Sequence, residues 1–321
     1  MREPGGPALP IRGSGPGTKG LVVGVDGGGT GSRALILDAD GGPIAGADGP
    51  PALVLPSDPS RAAEAIKTTV EKAADLAECS LPVDSLWAGL AGAGRAGERE
   101  AVEIALRSLG LARVVKVGMD VEGAHQDAFG GGPGVLLVVG TGSMAWGKDP
   151  SGAEIRVGGW GALLGDEGSG YWLGLEGLRA VARAADDRGP STVLTRTLLS
   201  ALHLPDPAAM IPWAARASKG EIGALAPLVL KAAETGDPGA SEALKGGLEA
   251  LLRHLEVIRT RWPSPEEPIP LALVGGLVEE EGPLRVRLET LVHGIGGRLV
   301  SHPVVPVRGA ARLARSLVAA E

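Results

Sequence analysis

Two glycine-rich segments interrupt apolar stretches of the chain. The first covers residues 26–32 with the letters DGGGTGS, and the second covers residues 140–143 with GTGS. Because glycine has no Cβ, backbone N–H groups in such segments can approach an anionic oxygen closely and donate hydrogen bonds to it. Both segments are therefore candidate phosphate-binding loops, which together could hold one polyphosphate. The candidate residues are Gly27, Gly28, Gly29, Thr30, Gly140, Thr141, Gly142 and Ser143.

Neither segment matches the better-known phosphate-binding motifs. The pattern GxxxxGK[ST] is absent from both, which excludes the nucleotide fold that uses that lysine. Residues 29–34 satisfy GxGxxA, but that dinucleotide fingerprint must open a helix, and the following letters RALILDADGG predict a strand and a turn. The remaining alternative is a pair of structural hairpins whose glycines only permit tight turns. The duplicated Thr-Gly-Ser triplet favours phosphate binding over that alternative.

Two aspartates stand where predicted strands end. Asp26 follows the strand of residues 21–25, beside the first glycine segment, and Asp120 follows the strand of residues 113–119. A carboxylate at Asp26 could hold Mg²⁺ against the phosphates of a nucleotide, or could accept hydrogen bonds from its own turn. Asp120 could accept the proton of an attacking hydroxyl, or could cap the helix predicted over residues 121–129. The residues alone leave the two roles of Asp120 equally open.

A third segment, residues 157–173 (VGGWGALLGDEGSGYWL), combines glycines with aromatic and acidic residues. Trp160, between two glycines, suits stacking on a sugar or a base, and Asp166 and Glu167 could bind hydroxyl groups. The alternative is that Trp160 and Trp172 belong to a helical core and that the acidic pair marks the start of a helix. The five histidines are scattered and show no metal-ligand spacing.

The elements that would position these groups alternate between strands and helices. Strands are predicted at residues 21–25, 33–37, 85–89, 113–119, 134–139 and 270–274. Strand, Thr-Gly-Ser triplet, second strand and turn occur twice, and eleven positions separate Thr30 from Gly41 as they separate Thr141 from Gly152. This repeat indicates two related α/β domains, each opening with a glycine-cornered hairpin, the second one mostly helical in its later part.

The composition limits the classes of partner. The net charge is −7 and there is no long basic run, so neither a nucleic acid nor an anionic membrane surface is indicated. A single cysteine, Cys79, rules out an internal disulfide and fits a reducing compartment, so we expect a cytoplasmic protein. Ten of the first 20 residues are Gly or Pro, and we expect residues 1–19 to be a disordered tail.

At these segments the chain resembles the BadF/BadG/BcrA/BcrD ATPase family, and within it the N-acetylglucosamine kinases. The resemblance is carried by DGGGTGSRALILDADG, GLAGAGR, MDVEGAHQDA, VVGTGSMAWG, GGWGALLGDEGSGYWLG and LVGG. The family lies in the superfamily of actin, heat-shock ATPases and sugar kinases. This implies an α/β fold of two ribonuclease H-like (actin-like ATPase) domains with a cleft between them, the second carrying extra helices. We expect residues 20–131 to form the first domain, with helix 308–321 packing back onto it, and residues 132–307 the second.

The resemblance also implies roles for single residues. It makes the two glycine segments ATP-binding loops and places the catalytic base at Asp120. Further ATP contacts are implied at three residues: Ala233, Gly275 and Gly276. Sugar contacts are implied at five residues: Asp120, Gly159, Trp160, Gly161 and Asp166. A sugar-binding Asn of the mammalian-type enzymes corresponds here to Leu53, which leaves the identity of the sugar open.

The expected function is that of an ATP-dependent sugar kinase. It would transfer the γ-phosphate of ATP, with Mg²⁺, to a hydroxyl, the 6-OH, of an amino sugar such as N-acetylglucosamine or glucosamine. Another hexose or N-acetylmuramic acid remains open as acceptor, and so does a homodimer. An activator ATPase with an iron–sulfur cluster needs two cysteines per subunit, which Cys79 alone cannot supply. A non-catalytic sensor of sugar or nucleotide is the alternative of a different class.

Overall fold

The structure, a computed structural model, describes residues 20–264 and 266–318. The tail expected over residues 1–19 lies outside the described residues. The chain divides into two compact units, one formed by Met1–Gly131 with Val304–Glu321 and the other by Gly132–Pro303. The helices are α1 (Pro59–Leu76), α2 (Ala96–Ser108), α3 (Asp120–Phe129), α4 (Gly170–Ala185), α5 (Leu194–Ala201), α6 (Met210–Ala214), α7 (Lys219–Gly223), α8 (Ala226–Glu234), α9 (Pro238–Arg261), α10 (Arg285–Gly294) and α11 (Pro306–Val318).

Each unit is built on a mixed five-stranded sheet, and the two sheets share one topology. The strands are β1 (Val22–Gly27), β2 (Ser32–Leu37), β3 (Pro43–Gly49), β4 (Val83–Leu90), β5 (Ala112–Met119), β6 (Gly134–Val139), β7 (Ser143–Lys148), β8 (Glu154–Gly158), β9 (Ile269–Val274) and β10 (Gly297–Leu299). Their orders are β3-β2-β1-β4-β5 and β8-β7-β6-β9-β10. In each sheet the first three strands along the chain pair antiparallel and the other two pair parallel. The expected α/β class with two ribonuclease H-like domains is confirmed.

The repeat extends to the hydrogen bonds of the second turn in each unit. The Asp38 carboxylate accepts hydrogen bonds from the N–H groups of residues 40 and 42, at 2.9 and 2.7 Å. The Asp149 carboxylate accepts them from the N–H groups of residues 151 and 153, at 2.8 and 3.0 Å. Gly41 and Gly152 have φ angles of 84° and 85°, a region that favours glycine. The two hairpins are therefore closed by the same short-range interactions.

The central strand of the first unit is buried on both faces. Val23 and Val25 pack with α1 in one apolar cluster, and Val22 packs with α11 in another. Such a strand must be apolar at successive positions rather than at alternate ones. A Cβ on Gly24 would collide with the backbone of Ala311, so glycine allows α11 to lie directly against β1.

A buried ionic cluster fixes α11 in the first unit. The Asp127 carboxylate, at the end of α3, accepts hydrogen bonds from the Val305 N–H at 2.8 Å and from the Arg308 guanidinium at 2.5 and 2.7 Å. Arg312 adds a third partner at 3.2 Å. A buried carboxylate is stable only when it is paired and hydrogen-bonded, so α3 and α11 hold each other in place.

The second unit carries most of its helices between β8 and β9, as the resemblance implied. These helices form one apolar cluster with the sheet and a second cluster among α4, α5, α8 and α9.

Within residues 20–264 and 266–318, no helix combines the length and the apolar content needed to cross a bilayer.

Candidate active site

Parallel pairing in the first unit brings two carboxylates to one edge of the sheet. In the register, Asp26 of β1 lies opposite Gly89 of β4, and Gly89 lies opposite Gly118 of β5. Asp120 follows two residues later as the first residue of α3. Because the carboxyl ends of parallel strands meet at the same edge, Asp26 and Asp120 are neighbours across β4.

The first glycine loop leaves this edge between β1 and β2. The Gly28 N–H donates to the Gly31 carbonyl oxygen at 2.9 Å, which closes the loop. The N–H groups of Gly29 and Thr30, both exposed, have no acceptor among the described residues. Two adjacent unpaired donors at the end of a strand make a site that an anionic oxygen can occupy.

Packing separates the glycines of this loop into two kinds. A Cβ on Gly27 would lie 2.8 Å from the Leu90 side chain and 2.9 Å from that of Ala52, so packing requires glycine there. A Cβ on Gly28 or Gly29 would meet nothing within 4 Å. Since the chain itself leaves room for a side chain at both positions, the close approach of a ligand explains glycine there better than packing does.

The second loop, residues 140–142, is held by the first turn of α4. The Gly170 and Tyr171 N–H groups donate to the carbonyl oxygens of Gly140 and Thr141, at 2.8 and 3.3 Å. These bonds use the loop carbonyls, while the N–H groups of Thr141 and Gly142 find no acceptor in the described part of the chain. The loop therefore offers two backbone donors, as the first loop does.

The Gly275-Gly276 pair lies beside this second loop. A Cβ on Gly140 would stand 3.9 Å from the Gly275 Cα atom and 4.0 Å from the Gly276 nitrogen. Gly275 has a φ angle of 114° and no room for a side chain, since a Cβ would lie 2.7 Å from the Val139 carbonyl oxygen. The structure thus brings together two segments that are more than 130 positions apart in sequence.

Asp26 lies in surroundings that favour its neutral form. Burial raises the pKa of its carboxyl to about 7, the nearby charge of Asp120 adds to the rise, and Arg33 opposes it. Within the described residues no group donates a hydrogen bond to this carboxylate. Mg²⁺ commonly takes one or two carboxylates together with phosphate oxygens, so Asp26 beside the glycine loop suits such an ion. No group of three or more metal-binding side chains occurs in the described residues.

Asp120 is not the N-cap of α3. Met119 holds the cap position, and the Glu122 carboxylate accepts the Met119 N–H at 2.9 Å. Asp120, the first helical residue, accepts the Val121 N–H at 2.9 Å through one oxygen. Burial raises the pKa of the Asp120 carboxyl above its usual value, against the lowering effect of hydrogen bonds from backbone N–H groups. Its carboxylate therefore has the surroundings of a proton acceptor rather than those of a helix cap.

The segment after β8 exposes the expected stacking residue. Trp160 is 72% exposed, which contradicts a place in the helical core, whereas Trp172 does pack against the core. Gly159 and Gly161 have φ angles of 71° and 85°, so the loop needs glycine on both sides of the indole. Arg156 donates to the Gly159 carbonyl at 2.6 Å and lies 6.0 Å from the indole ring.

Asp166 is buried beneath the second glycine loop. Its Oδ1 atom accepts the Ser143 N–H at 3.2 Å, and its Oδ2 atom lies 2.6 Å from the Lys219 ammonium. The Ser143 hydroxyl donates to the Glu167 carbonyl oxygen at 2.7 Å. The implied sugar ligand is thus linked to the loop, and Lys219 joins the site although nothing in its own sequence surroundings indicated this.

Two further expected residues have different surroundings. Ala233 lies near the end of α8 and packs against the helical cluster, and its role at a nucleotide stays a prediction. Leu53 is exposed, next to the first glycine loop. Its neighbour Ala52 donates to the Gly28 carbonyl at 3.0 Å, and Val54 donates to the Ala91 carbonyl at 3.0 Å.

Comparison with known proteins decides the family. The model of the BadF/BadG/BcrA/BcrD ATPase family matches residues 23–314. The chain belongs to this family. The resemblance seen in the sequence motifs is therefore confirmed over nearly the whole described chain.

Relatives that are similar to this chain are named as sugar kinases. The chain is 31% identical over 205 residues (63% of its length) to the N-acetylmuramic acid/N-acetylglucosamine kinase of Clostridium acetobutylicum. It is 38% identical over 153 residues (46% of its length) to the N-acetyl-D-glucosamine kinase of Dictyostelium discoideum. These matches span 66% and 48% of the two relatives.

A solved structure has a fold similar to that of this chain. It is that of a Chromobacterium violaceum protein proposed to be an N-acetylglucosamine kinase, with a TM-score of 0.74 and 28% identity. The match covers 92% of this chain and 98% of that one.

The open surroundings of Gly29 lead to a prediction. Gly29→Ala should leave the unfolding temperature unchanged or slightly raised, because a methyl group fits and restricts the unfolded chain by about 0.4–1 kcal/mol. The same methyl would occupy the space above the free N–H groups and weaken ATP binding by about tenfold or more. Gly97→Ala on α2, where the Cβ position is equally open, is the matched control. Unchanged affinity in calorimetric titration would contradict the phosphate role of the loop.

The pKa of Asp26 predicts how stability depends on pH. A folded pKa of about 7, above the unfolded value of about 3.9, means that the folded protein holds the extra proton, so stability falls as pH rises between those values. Asp26→Asn cannot ionise and should gain up to about 4 kcal/mol over the wild type by pH 8, with little gain near pH 4. Urea unfolding without Mg²⁺ measures this, with exposed Asp75→Asn as control. A gain in stability that does not vary with pH would contradict the raised pKa of Asp26.

Proposed function

We propose that the protein is an ATP-dependent kinase that transfers the γ-phosphate of ATP to the 6-OH of an amino sugar such as N-acetylglucosamine or glucosamine. The observation that carries the proposal is the pair Asp26 and Asp120, both with raised pKa, at the sheet edge where the first glycine loop leaves unpaired N–H groups. The names of the two relatives add the acceptor class, because each includes an amino sugar.

Asp120 acts as the general base in this proposal. Its free oxygen accepts the proton of the sugar hydroxyl as that oxygen attacks the γ-phosphorus. The bond from the γ-phosphorus to the bridging oxygen breaks, and ADP leaves with the electron pair. A carboxylate whose pKa is raised by burial takes up a proton more readily than an exposed one does. The bond from the Val121 N–H to the other oxygen fixes its direction.

The glycine loops bind the phosphates in this proposal. Gly29, Thr30, Thr141 and Gly142 donate from the backbone, and Gly275-Gly276 borders the adenosine side of the second loop. Asp26 is the residue that would hold Mg²⁺. When bound, this ion neutralises charge on the phosphates and favours the ionised form of Asp26. Ala233 keeps its proposed place beside the nucleotide.

The sugar is bound by the segment after β8 in this proposal. The exposed face of Trp160 stacks on the apolar face of the ring, and the flanking glycines Gly159 and Gly161 allow the backbone to approach its hydroxyls. Leu53 offers no polar group at the position where an amide was expected, so hydroxyl recognition depends on the other contacts.

We place the reaction in the cytoplasm, which supplies ATP.

Replacing the proposed base tests the assignment. Asp120→Asn should lower kcat by about 10²-fold or more while ATP binding is kept, because the amide cannot accept the hydroxyl proton. Sugar-dependent ADP release is measured with N-acetylglucosamine, glucosamine, N-acetylmuramic acid and glucose, and Asp75→Asn on α1 serves as control. Near-normal turnover in Asp120→Asn would refute the base. ATP binding by the wild type without ADP release on any of these sugars would favour the sensor.

A further inference from the structure

Lys219 is a cation fixed at the second glycine loop by interactions within the second unit. It is the first residue of α7, and the side chain of Ser218 caps this helix by accepting the Glu221 N–H at 3.2 Å. The Glu221 carboxylate in turn accepts the Ser218 N–H at 2.7 Å, which completes a capping box. The backbone that carries Lys219 therefore has a defined start and direction.

The helix approaches the loop at both of its ends. A Cβ on Gly142 would stand 2.9 Å from the Lys219 ammonium and 2.9 Å from the Asp166 carboxylate. At the other end of α7, a Cβ on Gly223 would lie 3.4 Å from the Thr141 side chain. The ammonium thus lies beside the middle of the loop, where the Gly142 N–H has no acceptor in the described residues.

The ion pair with Asp166 leaves most of the ammonium available. The Asp166 side chain is buried, and its Oδ2 atom meets the ammonium at 2.6 Å without a hydrogen bond from any other described group. The Lys219 side chain is 41% exposed. An ammonium has three donors, so one can face Asp166 while two remain for an anion. A buried carboxylate beneath an exposed cation holds that cation in one place.

Phosphate is the anion that fits this arrangement. A lysine ammonium beside free backbone N–H groups is a common phosphate-binding combination, and in phosphate-loop NTPases the lysine follows the glycine loop directly. Here GTGS is followed by Met144, and the cation comes instead from a helix 76 positions beyond Ser143. The fold thus places a lysine ammonium beside the second glycine loop although the GTGS segment is not itself followed by a lysine.

We propose that Lys219 binds a phosphate oxygen of the nucleoside triphosphate held by the second glycine loop, and that Asp166 is the positioning residue for its ammonium. This rests on the proposed function, because the phosphate is that of the ATP consumed there. The carboxylate implied as a sugar contact then acts on the nucleotide side through Lys219 and through the Ser143 N–H.

Nucleotide binding without sugar tests the proposal. ATP, ADP and adenosine are titrated calorimetrically into the full chain and into Lys219→Met, Lys219→Arg and Lys231→Met, the last a matched control on α8. We expect Lys219→Met to weaken ATP binding by about tenfold or more, leave adenosine binding unchanged, and be partly rescued by Lys219→Arg. Equal loss for adenosine and ATP, or no loss for ATP, would overturn the phosphate contact.

A second set of variants separates positioning from folding. Lys219→Met leaves Asp166 buried without its cation, so Lys219→Met with Asp166→Asn should regain thermal stability but not ATP affinity. Asp166→Asn alone should raise the KM for ATP more than the KM for the sugar. The reverse split would overturn the positioning role.

The two proposals can fail separately. A wild type that binds ATP through Lys219 but phosphorylates no sugar would sink the kinase proposal and support the lysine contact. A wild type that binds no ATP would overturn both.

Discussion

The candidate site depends on the parallel pairing of β1 with β4 and of β4 with β5, which the second unit repeats as β6, β9 and β10. Parallel strands end at a common edge, so the residues that follow them lie close together once the strands have paired. The antiparallel hairpin on the other side of β1 returns at the same edge through glycine. One edge of the first sheet therefore carries both carboxylates and a loop with free backbone donors.

This edge carries groups that favour a cation next to groups that favour an anion. Burial raises the pKa of Asp26 and of Asp120, and the charge of Asp120 adds to the rise at Asp26, so a cation would favour the ionised form of Asp26. The backbone donors of Gly29 and Thr30 gain from an anion. A magnesium-bound triphosphate supplies both charges.

Much of the fold could be predicted from the sequence, because the duplicated triplet, the apolar strands and their spacing are local signals. Asp120 at the end of β5 was predictable for the same reason. Strand β10 was not, since three residues give no periodicity and the strand depends on pairing with β9. The sequence also could not show that packing requires glycine at residue 27 but not at residue 29, because the difference depends on the neighbouring side chains of Leu90 and Ala52. Lys219 meets Asp166 through the packing of α7 on α4, where a Cβ on Gly174 would collide with Ile222.

In the proposed reaction the terminal phosphoryl group of ATP passes directly to a sugar hydroxyl. Direct transfer can be followed by mass spectrometry of the sugar after incubation with ATP whose terminal phosphoryl oxygens carry ¹⁸O. Direct transfer predicts a sugar phosphate that retains this label, formed together with unlabelled ADP in equal amount. Labelled inorganic phosphate beside an unmodified sugar, with every amino sugar and hexose tried, would contradict it.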